Sequence, residues 1–166
     1  MLQRVQTIFM TIAALAMVLM LFFPIWEKSD SNYEAEKREY AIMDAFYLKY
    51  KQIDSDAQEA LLGTQITFPI AGGAILAALI MLFSVTRYKN RMTQVKLNAL
   101  FSLITAGVLV GTYVYISKAN QLFDPQVQGT FLIGFYLPIV AMLNNFLANR
   151  FIRKDEQLVR SADRIR

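Results

Sequence analysis

Ala74–Val85 reads AILAALIMLFSV, and Ile12–Phe23 reads IAALAMVLMLFF. Neither run holds a charge, and neither has the polar face that a helix on a soluble surface shows at helical spacing. Outward from Ala74–Val85, the uncharged stretch reaches from Ala60 to Thr86, between Glu59 and Arg87. Three others match it in kind: Val5 to Trp26, Leu97 to Ser117, and Pro125 to Asn149. About 20 mostly apolar residues cross a hydrocarbon core as a helix. Lipid leaves a bare backbone unsatisfied, so such segments are helices, not loops. The spans then fall near 5–24, 66–86, 97–117 and 130–149. The fold this predicts is all-α and integral to a membrane. A four-transmembrane-helix bundle occupies residues 1–149, with a long outer loop at 27–64 and a basic amphipathic C-terminal helix at 150–166.

Composition agrees. Of 166 residues, 55% are hydrophobic and 18% charged, and the mean hydropathy is +0.35. A soluble domain carries charge nearer a quarter. There is no Cys and no His. That excludes zinc sites of the usual kind, haem held by His or Cys, thiol nucleophiles, disulfides and imidazole bases. No cofactor and no metal are expected, and no catalytic residue stands out. The spans hold no carboxylate for acid–base work, and a Ser or Thr nucleophile would have no evident base. The chain reads as a non-enzyme. The first span ends in FFPIWEK, Phe22–Lys28, bulky residues that do not suit signal-peptide cleavage, so it reads as an uncleaved anchor.

Charge sets the orientation. The segment Arg87–Lys96 carries Arg87, Lys89, Arg91 and Lys96 and no acid, whereas residues 27–64 hold nine acidic against five basic residues. By the positive-inside rule the amino terminus, the second loop and the tail are cytoplasmic, and the long first loop is outside. Trp26 with Phe22 and Phe23, and Tyr113 with Tyr115, lie at the outer edge, and Tyr88 at the inner edge. Aromatic residues favour that boundary.

Small and polar residues mark where helices meet in lipid. Gly107 and Gly111 form a G-x-x-x-G pair, read as an intrachain contact ahead of a dimer seam. Thr130, Gly134, Pro138, Ala141, Asn145 and Ala148 form one stripe at spacings of three and four, turned toward the other helices. Pro138 is expected to kink its helix. Asn144 and Asn145 are read as helix glue rather than as a solute site. No ionisable residue lies deep in a span, which counts against an ion-coupled transporter.

In the outer loop, EYAIMDAFYLKYKQI, Glu39–Ile53, is expected to order as a strand pair or as a short helix on the membrane. SDAQEALLG, Ser55–Gly63, resembles a helix start with Ser55 as N-cap ahead of Gln58 or Glu59. The acidic residues Glu34, Glu36, Glu39, Asp44, Asp54, Asp56 and Glu59 lack calcium-loop spacing and read as solvated charge. In the tail, Phe151, Ile152, Leu158, Val159, Ala162 and Ile165 recur at helical spacing, with Arg150, Arg153, Lys154, Arg160, Arg164 and Arg166 on the basic side. Basic residues there attract anionic lipid.

MLQRVQT at Met1–Thr7, YKNRMTQVKLNAL at Tyr88–Leu100 and RKDEQLVRSADRIR at Arg153–Arg166 resemble the bacterial DUF4293 family of small four-span membrane proteins, over the whole chain. The resemblance implies a Gram-negative inner-membrane protein and no assigned activity. The functional expectation is an accessory, assembly or interaction subunit. It docks a partner or lipid by a basic cytoplasmic face of Arg87, Lys89, Arg91, Lys96, Arg153, Lys154, Arg160 and Arg164. The alternative is a small solute or lipid transporter built around Pro138 and Asn145. Expected partners are anionic inner-leaflet lipids and a membrane protein or second copy, with no nucleic acid.

Overall fold

A computed structural model describes residues 2–29, 37–54, 59–87, 90–121 and 128–164. The elements run α1 (Leu2–Leu19), β1 (Trp26–Ser29), β2 (Lys37–Met43), β3 (Tyr47–Asp54), β4 (Glu59–Ile66), α2 (Phe68–Thr86), α3 (Arg91–Asn120), β5 (Thr130–Phe131) and α4 (Ile133–Arg164). The fold is therefore not all-α. The strands form an antiparallel sheet of order β4-β3-β2-β1-β5.

The sheet arises where a loop was expected. Residues 37–54 are rich in Tyr, Ile and other strand formers, and Asp44–Phe46 turns the chain, with Asp44 N–H donating to the Tyr47 carbonyl at 2.8 Å. Of the two readings for this segment, the strand pair is the one formed. The helix start read at SDAQEALLG is overturned, because Glu59–Ile66 is a strand paired to β3, with Tyr47 opposite Ile66. The proposed cap, Ser55, and Gln58 lie outside the described residues. Alternation fixes the inward face: Trp26 pairs with Met43 and Lys28 with Ala41, all four are buried, and Trp26, Ala41, Met43 and Leu48 share one apolar core with the helices. On the other face, Tyr40 Oη donates to Glu27 Oε2 at 3.0 Å. Partial burial, then this bond and the nearby acids, push the Tyr40 phenol above its usual value.

Four helices are present, but the four-span bundle is not. Among the described residues only α2 and α3 are long and apolar enough to cross a membrane; the apolar part of α1, Val5–Leu19, is shorter. The first expected span fails at its outer end. The helix stops at Leu19, and Leu21 and Phe22 make tight turns back to Val18 and Leu19. The fourth starts late, because Thr130 and Phe131 join the sheet. Its uncharged part is then diluted by Asn144 and Asn145 and closed by Arg150. No boundary separates span from tail: α4 runs unbroken through Pro138 to Arg164.

The helices pack in a ring, α1 against α2 and α4, and α3 against α2 and α4. The sheet lies at the end where α1 and α3 finish and α2 and α4 begin. Thr67 N–H, just before α2, donates to the Phe46 carbonyl at 2.9 Å, and Gly134 N–H, at the start of α4, to the Pro24 carbonyl at 3.0 Å. At the other end Arg91 Nη2 meets Asp155 Oδ2 at 2.8 Å, and Phe9 stacks on Phe151 at 5.5 Å.

Glycines set two close approaches. A Cβ on Gly73 would fall 2.5 Å from Val108 Cγ2, and one on Gly134 would fall 2.6 Å from the Pro24 carbonyl oxygen. The second obstacle is backbone and cannot swing aside. Gly134→Ala should therefore lower stability by about 1–3 kcal/mol. Gly107→Ala, where a Cβ meets nothing within 4 Å, should hold or raise it by up to about 1 kcal/mol. Thermal unfolding of the two variants in detergent checks this; equal losses would contradict the packing.

Candidate functional site

α3 carries a polar ladder inward. Gln94, Asn98, Thr105 and Thr112 are buried on the face that also buries Phe101, Val108 and Ile116. A buried amide must find partners, because an unpaired one costs roughly 1–3 kcal/mol. Asn98 finds them on two helices. Ser84 Oγ on α2 donates to Asn98 Oδ1 at 2.8 Å. Asn98 Nδ2 donates to Asn149 Oδ1 on α4 at 3.0 Å. Asn145 Nδ2 returns from α4, at 2.7 Å to Ser102 Oγ and 2.9 Å to the Asn98 carbonyl. One turn lower, Gln94 Nε2 lies 3.3 Å from Met10 Sδ on α1 and 3.4 Å from the Ser84 carbonyl. The ladder thus touches every helix. Three of its buried atoms, Gln94 Oε1, Asn145 Oδ1 and Thr105 Oγ1, accept no hydrogen bond.

The stripe on α4 lands where spacing puts it. Gly134, Pro138, Ala141, Asn145 and Ala148 are all buried, while Thr130 is exposed in β5. Asn144 sits off the stripe, half-exposed, and its Nδ2 donates to the Val140 carbonyl one turn back at 2.8 Å. Gly107 and Gly111 do not make the intrachain contact expected of them. Both have open space at Cβ, and they line an open groove of about 200 Å³ with Pro69, Ile70, Gly73 and Tyr115. The close α2–α3 approach is at Gly73 instead.

The basic residues gather at the end away from the sheet. Arg87 is exposed, its guanidinium 4.8 Å over the Phe83 ring. Lys96 is exposed, and Arg91 is half-buried against Asp155. Lys89 lies outside the described residues, as do the side chains of Arg160 and Arg164. Arg153 and Lys154 line an open groove of about 560 Å³ with Phe146, Asn149, Arg150 and Gln157. Arg150, Arg153 and Lys154 sit at i, i+3 and i+4, hence on one face. The sequence reading placed Arg150 on the basic side of the tail but not among the docking residues; its spacing to Arg153 was the signal.

Sequence reading also missed Ser84, Gln94, Asn98 and Ser102. Gln94, Asn98 and Ser102 recur every fourth residue, a signal as plain as the stripe on α4. Hydrogen bonding by these side chains joins helices rather than poising a nucleophile, and no cluster of metal-ligating residues occurs among the described residues.

Asn145→Leu removes both bonds of Asn145 Nδ2, to the Asn98 carbonyl and to Ser102 Oγ. It should lower thermal stability in detergent by about 1–2 kcal/mol, with Asn144→Leu costing less than half of that. Equal effects would show that the ladder does not bind α4 to α3.

A family model matches residues 2–165, essentially the whole chain: a domain of unknown function, DUF4293. A comparison with curated proteins gives no match.

Proposed function

The chain belongs to the DUF4293 family, and we propose that its members of this form are non-catalytic docking subunits of the bacterial inner membrane. The α2–α3 hairpin is embedded in lipid, and the basic end faces the cytoplasm, where it holds a negatively charged partner surface. The observation that carries this reading is the pairing of an exposed apolar band with an exposed basic end.

The apolar windows of α2 and α3 are only 39% and 28% buried. A core helix of a soluble protein hides most of its surface; these leave Leu79 58% and Leu103 71% exposed. Patches of that kind need a cover, and lipid is one that fits. From Phe68 to Phe83 the exposed band of α2 rises about 22 Å, and Phe68, Tyr113 and Tyr136 are exposed toward the sheet end, as expected of residues at a headgroup boundary. Arg87 and Lys96 lie beyond the other end of the band, and basic residues that flank spans stay in the cytoplasm. Gln94, Asn98 and Asn145 use their donors between helices, which favours docking over solute transport.

The native chain has no Cys, so single cysteines are clean probes. Ser29→Cys, in the sheet, should react with an impermeant maleimide in spheroplasts, and Arg87→Cys only after lysis. Labelling of Arg87→Cys from outside would reverse the orientation and defeat the reading. Replacing Arg87 and Lys96 together by Glu should leave membrane insertion intact and release the protein that co-purifies with the wild-type chain. Unchanged co-purification would also defeat it.

A further inference from the structure

We propose that the α4 groove lined by Arg150, Arg153 and Lys154 binds the phosphate of an anionic phospholipid, whose acyl chains lie along the exposed apolar face of the same helix. The inference rests on the membrane reading above and names the ligand of the α4 part of its basic end, beside the partner surface at Arg87 and Lys96.

The cations are suitable and available. All three are exposed, and no ion pair joins them to another described residue, whereas the nearby Arg91 is taken by Asp155. No acidic residue is among the described lining of the groove. Guanidinium groups meet phosphate oxygens two at a time, and the Lys ammonium adds a point charge. Asn149 and Gln157 supply neutral polar groups at the rim. A volume of about 560 Å³ lies in the range of small-molecule sites.

The apolar flank selects a lipid over a soluble anion. Phe146, in the groove wall, is 67% exposed, and Leu143 and Ile139 continue its exposed face one and two turns toward the sheet. Arg150 stands one turn beyond Phe146, a rise of about 6 Å. The headgroup layer on one side of a bilayer is of similar depth, about 5–8 Å. Phosphate and acyl chain are thus offered their own kinds of surface at the spacing that a phospholipid has. A nucleic acid or an acidic protein would leave Phe146 and Leu143 uncovered.

Native mass spectrometry of the full chain in mild detergent, titrated with phosphatidylglycerol or with phosphatidylcholine, tests this. The wild-type chain should retain phosphatidylglycerol about tenfold more strongly. Replacing Arg150, Arg153 and Lys154 by Gln should bring the two lipids level, with an unchanged thermal midpoint, and Lys96→Gln should keep the preference. Equal retention by the wild-type chain, an undiminished preference in the triple variant, or displacement of the lipid by millimolar inorganic phosphate would overturn the proposal. Cysteine labelling reads orientation independently of lipid. A failed preference with Ser29→Cys still labelled from outside removes the lipid site alone, and reversed labelling removes the reading beneath it.

Discussion

Asn98 is a full amide at zero exposure where α2, α3 and α4 meet. Its side-chain carbonyl oxygen must accept a hydrogen bond and its NH2 must donate, and at zero exposure the partners come from neighbouring helices. Ser84 and Asn149 meet those needs from opposite neighbours, and Asn145 takes the backbone carbonyl of the same residue. Apolar contacts alone would let helices slide or rotate past one another at small cost, since Leu and Ile surfaces resemble lipid tails. A shift of one turn would break all of these bonds together. The ladder therefore fixes the register of α2, α3 and α4, and Gln94 with Met10 extends the constraint to α1.

With register fixed, the two ends acquire different chemistry. The sheet end gathers aromatic side chains, with Phe131 against Phe135 at 4.5 Å and Tyr47 against Phe68 at 5.5 Å. There, too, a lysine is buried: Lys28 is 2% exposed and its Nζ donates to the Asn120 carbonyl at 2.9 Å, at the C-terminus of α3. A cation at a helix C-terminus meets the negative end of the helix dipole. The opposite end pairs Arg91 with Asp155 but keeps Arg87, Lys96, Arg150, Arg153 and Lys154 in the open. The same residue class thus closes one end and advertises the other.

The helices were legible because long uncharged runs have few alternatives. The stripe of Gly134, Pro138, Ala141, Asn145 and Ala148 was legible because side chains three and four apart share a face. The sheet was harder. Tyr, Phe and Ile in Glu39–Ile53 fit neither period well, and the sheet is completed by β5, which is distant in sequence. Glu59–Ile66 was misread because a cap signature is local, whereas strand pairing with Tyr47–Asp54 is not. The G-x-x-x-G pair misled for a related reason: Gly107 and Gly111 permit close approach, but Gly73 is where the backbones use it. The crossing number failed on geometry. Charge-free length measures what lipid would tolerate, not where Pro24 and Phe131 turn the chain into a sheet.

β1 is held on one side by β2, its near neighbour in sequence, and on the other by β5, about a hundred residues later. Trp26 lies beneath Gly129, where a Cβ would collide with the indole, and α1 makes its broadest contact with α4. The early part of the chain therefore cannot complete its fold while it is being made. α1 and β1 must wait, with Lys28 uncovered and the face for α4 open, until synthesis has passed residue 150. Such a wait makes truncations at the C-terminal side more damaging than their size suggests.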